Sequence, residues 1–277
     1  MVKKIVCPTD FSSAAINSTE YAAKLAQVFG AELLFVNVQQ IIPVAAEVSL
    51  GQGIGAEIRE NSRMASDALK KISEETNKMF NISVDYEVDI TSKSIEKILA
   101  SHEGDNTMIV MGTNGADDLY QYFFGTNTYH VIKKSKCPVL VVPENVYYGS
   151  LNKIVFAWDY DPKNKFSFSL LKDFMKAFNS QIVFIHVSEQ RTEISNDVFR
   201  VLRSEVESEL GANNKVEFEQ IFSDNIPESI NSYMIKSKAD LLAITYYNRG
   251  VMRNIFHGTV AKELSKQIEY PILVLHA

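Results

Sequence analysis

The sequence predicts an α/β protein made of two tandem doubly wound domains, each built on a five-stranded parallel sheet. Three observations carry that prediction. Lys4-Ile5-Val6-Cys7-Pro8-Thr9-Asp10-Phe11 returns as Lys153-Ile154-Val155-Phe156-Ala157-Trp158-Asp159-Tyr160, 149 positions later, so the chain repeats itself. Short runs rich in Val, Ile and Leu alternate with helical stretches, the pattern of parallel strands joined by crossovers. A helical stripe in each copy ends at a residue suited to left-handed backbone, Gly30 in the first copy and Asn179 in the second.

In the first copy, strands are expected at Ile5–Thr9, Leu33–Val38, Val84–Val88, Met108–Met111 and Val139–Val142. Each is apolar at consecutive positions, as strands covered on both faces are. Between the first two, Ala15, Ala22, Leu25, Ala26 and Phe29 fall on one helical face. The shift of 149 carries Leu33–Val38 onto Ile182–Val187 without a gap and sets Leu171, Phe174, Met175 and Phe178 on the matching stripe. Further on, Val84–Glu87 matches Val216–Glu219 at a shift of 132, and Gly125-Thr126 matches Gly258-Thr259 at 133, so the second copy is shorter by about 16 residues. The missing piece corresponds to Ile41–Ala56, which reads as a loop insertion because it holds Pro43, Gly51, Gly53 and Gly55. Pro143–Ser150 reads as the linker, which sets the expected domains at residues 1–145 and 150–277. Sheets of this kind bind ligands beyond the carboxyl ends of their strands, at the topological switch point.

Composition narrows the function. With 28 Lys and Arg against 34 Asp and Glu, the formal net charge is −6, and no basic run is longer than the pairs Lys3-Lys4 and Lys133-Lys134. That balance argues against a nucleic-acid partner. No stretch approaches the ~18 apolar residues of a membrane span, and the apolar run after Met1 stops short of a secretory h-region. A soluble, cytoplasmic protein with no membrane partner is the expectation. Cys7 and Cys137, in or beside apolar runs, read as buried free thiols of a reducing compartment. His102, His130, His186, His257 and His276 are too scattered to ligate a metal. His257 reads as packing or capping rather than as a base. Gly51-x-Gly53-x-Gly55 lies well past its strand, so it is read as a flexible insertion and not as a dinucleotide fingerprint. There is no Gly-x4-Gly-Lys-[Ser/Thr] loop, no Gly-x-Ser-x-Gly elbow and no Cys-x2-Cys.

One constellation does carry chemistry. Met111-Gly112-Thr113-Asn114-Gly115 follows the fourth strand, and after nine more residues Gly125-Thr126-Asn127-Thr128 opens a helical segment. Glycines let backbone approach an anion closely, and free N–H groups at a helix start attract phosphate. Asp10, just past the first strand, faces the same crevice and suits a ribose hydroxyl; a helix N-cap is its alternative role, and the sequence leaves both open.

On these residues the chain resembles a tandem universal stress protein, over nearly its whole length. Besides the Gly-x2-Gly-x9-Gly-[Ser/Thr] loop, the matching residues are Pro8-Thr9-Asp10-Phe11-Ser12, the strand ending in Val38, and Cys137-Pro138-Val139-Leu140-Val141-Val142. The resemblance implies a Rossmann-like fold and adenine-nucleotide binding, ATP or AMP, with or without Mg²⁺. It implies that Asp10 holds the ribose, Val38 reads the adenine through its backbone, and Met111, Gly112, Gly115, Gly125 and Thr126 wrap the phosphates, with Asn127 adding a backbone N–H. It also implies an intrachain pseudo-dimer through the fifth strands, Val139–Val142 and Ile272–Leu275; a further dimer of chains is compatible with it.

The departures are as informative. Residues 113–132 contain no Lys or Arg until the terminal helical pair beyond them, and Asp117-Asp118 add negative charge, which predicts weak or Mg²⁺-dependent triphosphate binding. In the second copy Thr245 and Asn248 replace the first two glycines, while Gly258-Thr259, Asp159 and Val187 remain. A vacated second site is preferred, with Tyr246-Tyr247 filling the cradle; Arg249 and Arg253 keep an anion site as the alternative. Three functions follow from the sequence: a non-catalytic regulatory or stress-response nucleotide binder first, then a slow ATPase or phosphotransferase, then a partner-binding protein with a vestigial site.

Overall fold

The apolar runs become strands. A computed structural model describes residues 1–40, 53–113, 125–158, 167–188, 196–210, 215–246 and 268–276. The first half comprises β1 (Lys4–Pro8), α1 (Ser13–Phe29), β2 (Glu32–Gln40), α2 (Gly53–Phe80), β3 (Val84–Thr91), α3 (Ile95–Ala100), β4 (Thr107–Thr113), α4 (Gly125–Lys134) and β5 (Val139–Pro143). The second comprises β6 (Lys153–Ala157), α5 (Ser169–Phe178), β7 (Gln181–Ser188), α6 (Asn196–Leu210), β8 (Val216–Phe222), α7 (Ile226–Ser237), β9 (Leu241–Tyr246) and β10 (Ile272–His276).

All the strands lie in one ten-stranded sheet, ordered β3-β2-β1-β4-β5-β10-β9-β6-β7-β8. Read outward from the middle, the two halves share one order, as the repeat requires. Within each half the pairing is parallel: Ile5 lies opposite Leu33 on one side and Met108 on the other. The halves meet where β5 and β10 run antiparallel, with Leu140 opposite Leu273. This is the fifth-strand pairing that the resemblance implies.

Because the helices cover both faces, the sheet has a core on each side. One packs Tyr21, Leu25 and Phe29 of α1 with Leu171 and Phe174 of α5. The other packs Ile98 and Leu99 of α3, Val131 and Ile132 of α4, and Ile230 and Met234 of α7. Both cores cross the seam between halves. Phe29 meets Phe174 and Phe178 edge-to-face, with ring centroids 5.2 and 6.0 Å apart. On the opposite face His276 Nε2 lies 2.8 Å from the Ile132 carbonyl at the end of α4.

Local signals explain where the elements stop. The N-cap of α1 is Ser12, whose hydroxyl accepts from the Ala15 N–H at 3.3 Å. Gly30 closes that helix at φ 63° and Asn179 closes α5 at φ 58°, both left-handed as expected. The expected insertion differs: α2 already begins at Gly53, so Gly53–Ala56 is helix rather than loop. Glycine weakens a helix chiefly in its interior, and a first turn tolerates it. Residues 41–52, with Pro43 and Gly51, lie outside the described residues. β3 is half-exposed rather than covered on both faces, because it is an edge of the sheet. The linker is pinned: Asn17 Nδ2 donates to the carbonyls of Pro143 (3.0 Å) and Val146 (2.8 Å), and Tyr148 packs on Tyr21. Cys7 and Cys137 are buried free thiols. Among the described residues, no helix is long and apolar enough to cross a membrane.

Candidate functional site

β1 and β4 are neighbours, and the chain leaves them in opposite directions, toward β2 and toward β5. Their carboxyl ends therefore splay apart and open a crevice. Within it lies a cavity of about 360 Å³, bounded by β1, β2 and β4 and by the starts of α1, α3 and α4.

The β1–α1 turn builds one wall. Phe11 adopts φ 65°, a left-handed conformation that carries strain of order 1–3 kcal/mol in a residue with a side chain, offset here because Phe11 packs against the core. Its N–H bonds Thr9 Oγ1 at 3.2 Å, while Asp10 Oδ1 accepts from the N–H and hydroxyl of Ser12 at 3.0 and 2.6 Å. These bonds fix Asp10 at the mouth of the cavity and settle its structural role. Ser12 caps the helix; Asp10, two residues earlier, closes an Asx turn and is not the N-cap. Asn37 ties β2 to the same turn by donating to the Thr9 carbonyl at 2.8 Å.

The opposite wall is β4 and the first turn of α4. Gly112 is a glycine for a packing reason that the sequence did not reveal. A Cβ built there would sit 2.2 Å from the Ala14 carbonyl oxygen and 2.6 Å from its carbon, in the first turn of α1. The close approach brings helix and strand together, and Ala14, Ala15 and Gly112 all line the cavity. Thr128 Oγ1, 3.5 Å from the Gly112 carbonyl, sets the start of α4 above the end of β4.

The lining divides by chemistry. Val36, Val38, Ile95 and Met111 form an apolar part, whereas Thr9, Asp10, Ser12, Ser94, Thr113, Thr126, Asn127 and Thr128 are polar. Of the residues expected at the site, Asp10, Val38, Met111, Gly112, Thr126 and Asn127 thus surround one cavity. Gly125 is the first residue of α4, and Gly115 lies outside the described residues. Ser94 and Ile95 were missed, although the Ser-x-Glu start of α3 is a helix-start signal in the sequence. Behind Ser94, burial pushes the Glu96 carboxyl up, but the Ser94 hydroxyl at 2.6 Å, its own N–H and nearby His130 outweigh this and hold it below the usual range. Among the described lining residues Asp10 is the sole ionisable side chain. Among the described residues no three His, Cys, Asp or Glu form a metal-ligating group.

The second half departs from this plan in a connected way. Thr245 takes the place of Gly112 and pairs with Leu275 as Gly112 pairs with Val142. A shift of 149 from Ser13 would start the helix at position 162, yet α5 starts at Ser169, after a non-helical Phe168 with no side-chain cap. Thr245 itself is buried. Tyr246, expected to fill the second cradle, packs beside β10. Its ring lies 5.7 Å from that of His276, and burial and the neighbouring Tyr129 of α4 raise its phenol pKa. Asp159, Tyr247, Asn248, Arg249, Arg253, His257, Gly258 and Thr259 lie outside the described residues.

Comparison with known proteins agrees with this architecture. A profile of the Universal stress protein family matches residues 1–143. Universal stress protein MJ0577 of Methanocaldococcus jannaschii is 32% identical over 156 residues, 51% of this chain and 95% of that protein. Universal stress protein MJ0531 of the same organism is 30% identical over 146 residues, 51% of this chain and 82% of its own length. The crystal structure of a universal stress protein from Archaeoglobus fulgidus aligns over 99% of this chain and 98% of its own, with a TM-score of 0.75 at 18% identity, a likeness of fold that spans both halves. The repeat, the doubly wound sheet and the family match converge: the chain belongs to the Universal stress protein family.

Proposed function

We propose that the first half of the chain binds an adenine nucleotide and acts as a non-catalytic regulatory module. The observation that carries this reading is the cavity between β1 and β4, which combines an apolar pocket, a carboxylate and a helix start in one crevice. Val36, Val38, Ile95 and Met111 suit the base, and Asp10 suits a ribose hydroxyl. Thr126 and Asn127, in the first turn of α4, suit phosphate, where the helix dipole favours an anion.

Binding is assigned rather than turnover because of what Asp10 is doing. It is the sole ionisable side chain among the described lining residues, and its Oδ1 already accepts two bonds from Ser12, so it is poorly placed to serve as a general base. For the same reason a Mg²⁺ ion, which favours carboxylate and phosphate oxygens, would enter with the nucleotide and not ahead of it.

Mass spectrometry of ligand released from the purified chain tests the reading, with adenine nucleotide expected. Calorimetry of a folded Gly125→Val chain is the complementary test: nucleotide affinity should be lost, and unchanged affinity would show the assignment to be wrong. Phosphate release per bound nucleotide separates this reading from a slow ATPase.

A further inference from the structure

We infer that Ser94 reads the base of the nucleotide, selecting a purine with an amino group at its 6-position over one with a carbonyl there, and that Glu96 positions Ser94 to do so. The inference rests on the nucleotide reading above and concerns residues outside the glycine loop. It follows from where the protons around Ser94 are bound.

Ser94 is the N-cap of α3, a position where a serine oxygen ordinarily accepts from a backbone N–H of the first turn. It makes no such bond. The donors of that turn are engaged elsewhere: the Glu96 N–H bonds to its own carboxylate, and the Lys97 and Ile98 N–H groups reach the Ser94 carbonyl at 3.0 and 3.4 Å. The Ser94 hydroxyl instead donates to Glu96 Oε1 at 2.6 Å.

That bond decides what Ser94 can offer a ligand. The Glu96 carboxyl lies below its usual range and is ionised at neutral pH, and an ionised carboxylate only accepts. The single hydroxyl proton is thus committed to Glu96, while the oxygen keeps lone pairs that no first-turn N–H uses. Ser94 lines the cavity, so its hydroxyl presents an acceptor there and not a donor. Its neighbour Ile95 belongs to the apolar part with Val36, Val38 and Met111, which puts this acceptor beside the surface that suits the base. A 6-amino group donates to such an oxygen, whereas a 6-carbonyl is itself an acceptor. Two acceptors held together away from water are both left unpaired, which costs more than a missing bond. Glu96 is not among the lining residues and acts only through Ser94.

Calorimetry of the full chain with AMP and with IMP, which carries the 6-carbonyl, tests this. The parent is expected to bind AMP at least about tenfold more tightly than IMP. S94A removes the acceptor and should bring the two ligands to within about threefold, chiefly by weakening AMP. E96A frees the Ser94 proton to turn toward the cavity, so IMP should bind more tightly than it does to the parent. A merely structural role for Glu96 would not produce that gain. Ser94 and Glu96 are only partly buried, so both variants should fold, and thermal melting checks it. Equal affinity of the parent for AMP and IMP, or an AMP preference unchanged in folded S94A, would overturn the role of Ser94 and leave the nucleotide site standing. Failure of the parent to bind AMP, ATP and IMP alike would overturn the nucleotide reading, and this inference with it.

Discussion

Leu140 and Leu273 stand at the same position of the repeat, and they face each other across the seam between β5 and β10. A residue paired with its own counterpart marks the local two-fold axis of an isologous contact. Both are fully buried, in the core that also holds α1 and α5. Leu273→Ala should therefore cost about 2–5 kcal/mol and loosen both halves together. Urea denaturation is expected to keep one transition at a lower midpoint; loss of the second half alone, with the first unchanged, would contradict a shared core.

The neighbouring Val141 is a poorer probe of the seam than its sequence suggests. It lies opposite Ile272 on one side, as expected of a seam residue, but opposite Met111 on the other. Met111 lines the cavity, so a charge at Val141 would disturb the crevice as well as the contact.

Gly112→Ala tests the close approach of α1 to β4 in the ligand-free chain. Its new methyl group would overlap the Ala14 carbonyl, and backbone cannot swing aside as a flexible side chain does. Overpacking of this kind costs about 1–3 kcal/mol and sometimes more. The melting temperature without ligand should fall. A variant as stable as the parent would mean that α1 and β4 do not need this close approach.

Much of this was legible from the residues. Apolar runs at consecutive positions located the strands, and Gly30 and Asn179 located two helix ends because left-handed backbone leaves a local signature. The repeat meant that whatever strand order one half takes, the other takes too, as it does. The close contact between Gly112 and Ala14 was not legible, because it joins residues far apart in sequence that meet only when α1 folds across β4. The ring contact of Tyr246 with His276 was hidden for the same reason, since the two belong to different strands. Gly53 and Gly55 misled in the other direction, since composition marked a loop where the start of a long amphipathic helix overrides it.

His276 should make the seam sensitive to acid. Burial lowers its pKa, opposed by its bond to the Ile132 carbonyl, by the charge of Glu103 and by the Cys137 backbone, and its Nδ1 is buried without a hydrogen-bond partner. The folded chain thus binds the proton less readily than the unfolded chain, where histidine titrates near 6.5. Its contribution is present above about pH 6.5 and is lost as pH falls from there toward the lowered folded value. Stability measured against pH should decline more steeply in the parent than in a folded His276→Gln chain. Parallel curves would remove His276 from the account.

The two thiols should be inert. Burial pushes Cys7 up to about 12 despite a bond with Ser18, and Cys137 up to about 11 despite one with Ser135. Thiolate is the reactive form. At pH 8 a thiol reagent should label neither cysteine in the native chain and both in denaturant; rapid labelling of either in the native chain would contradict their burial.

The central claim is that one crevice, in the first half, takes the nucleotide. Among the described residues the second half has Thr245 in place of Gly112 and a later start of α5. Equilibrium dialysis with labelled AMP measures this directly. The account expects one nucleotide per chain and none for a folded Gly125→Val chain; two equal sites, or one site that survives that substitution, would contradict it.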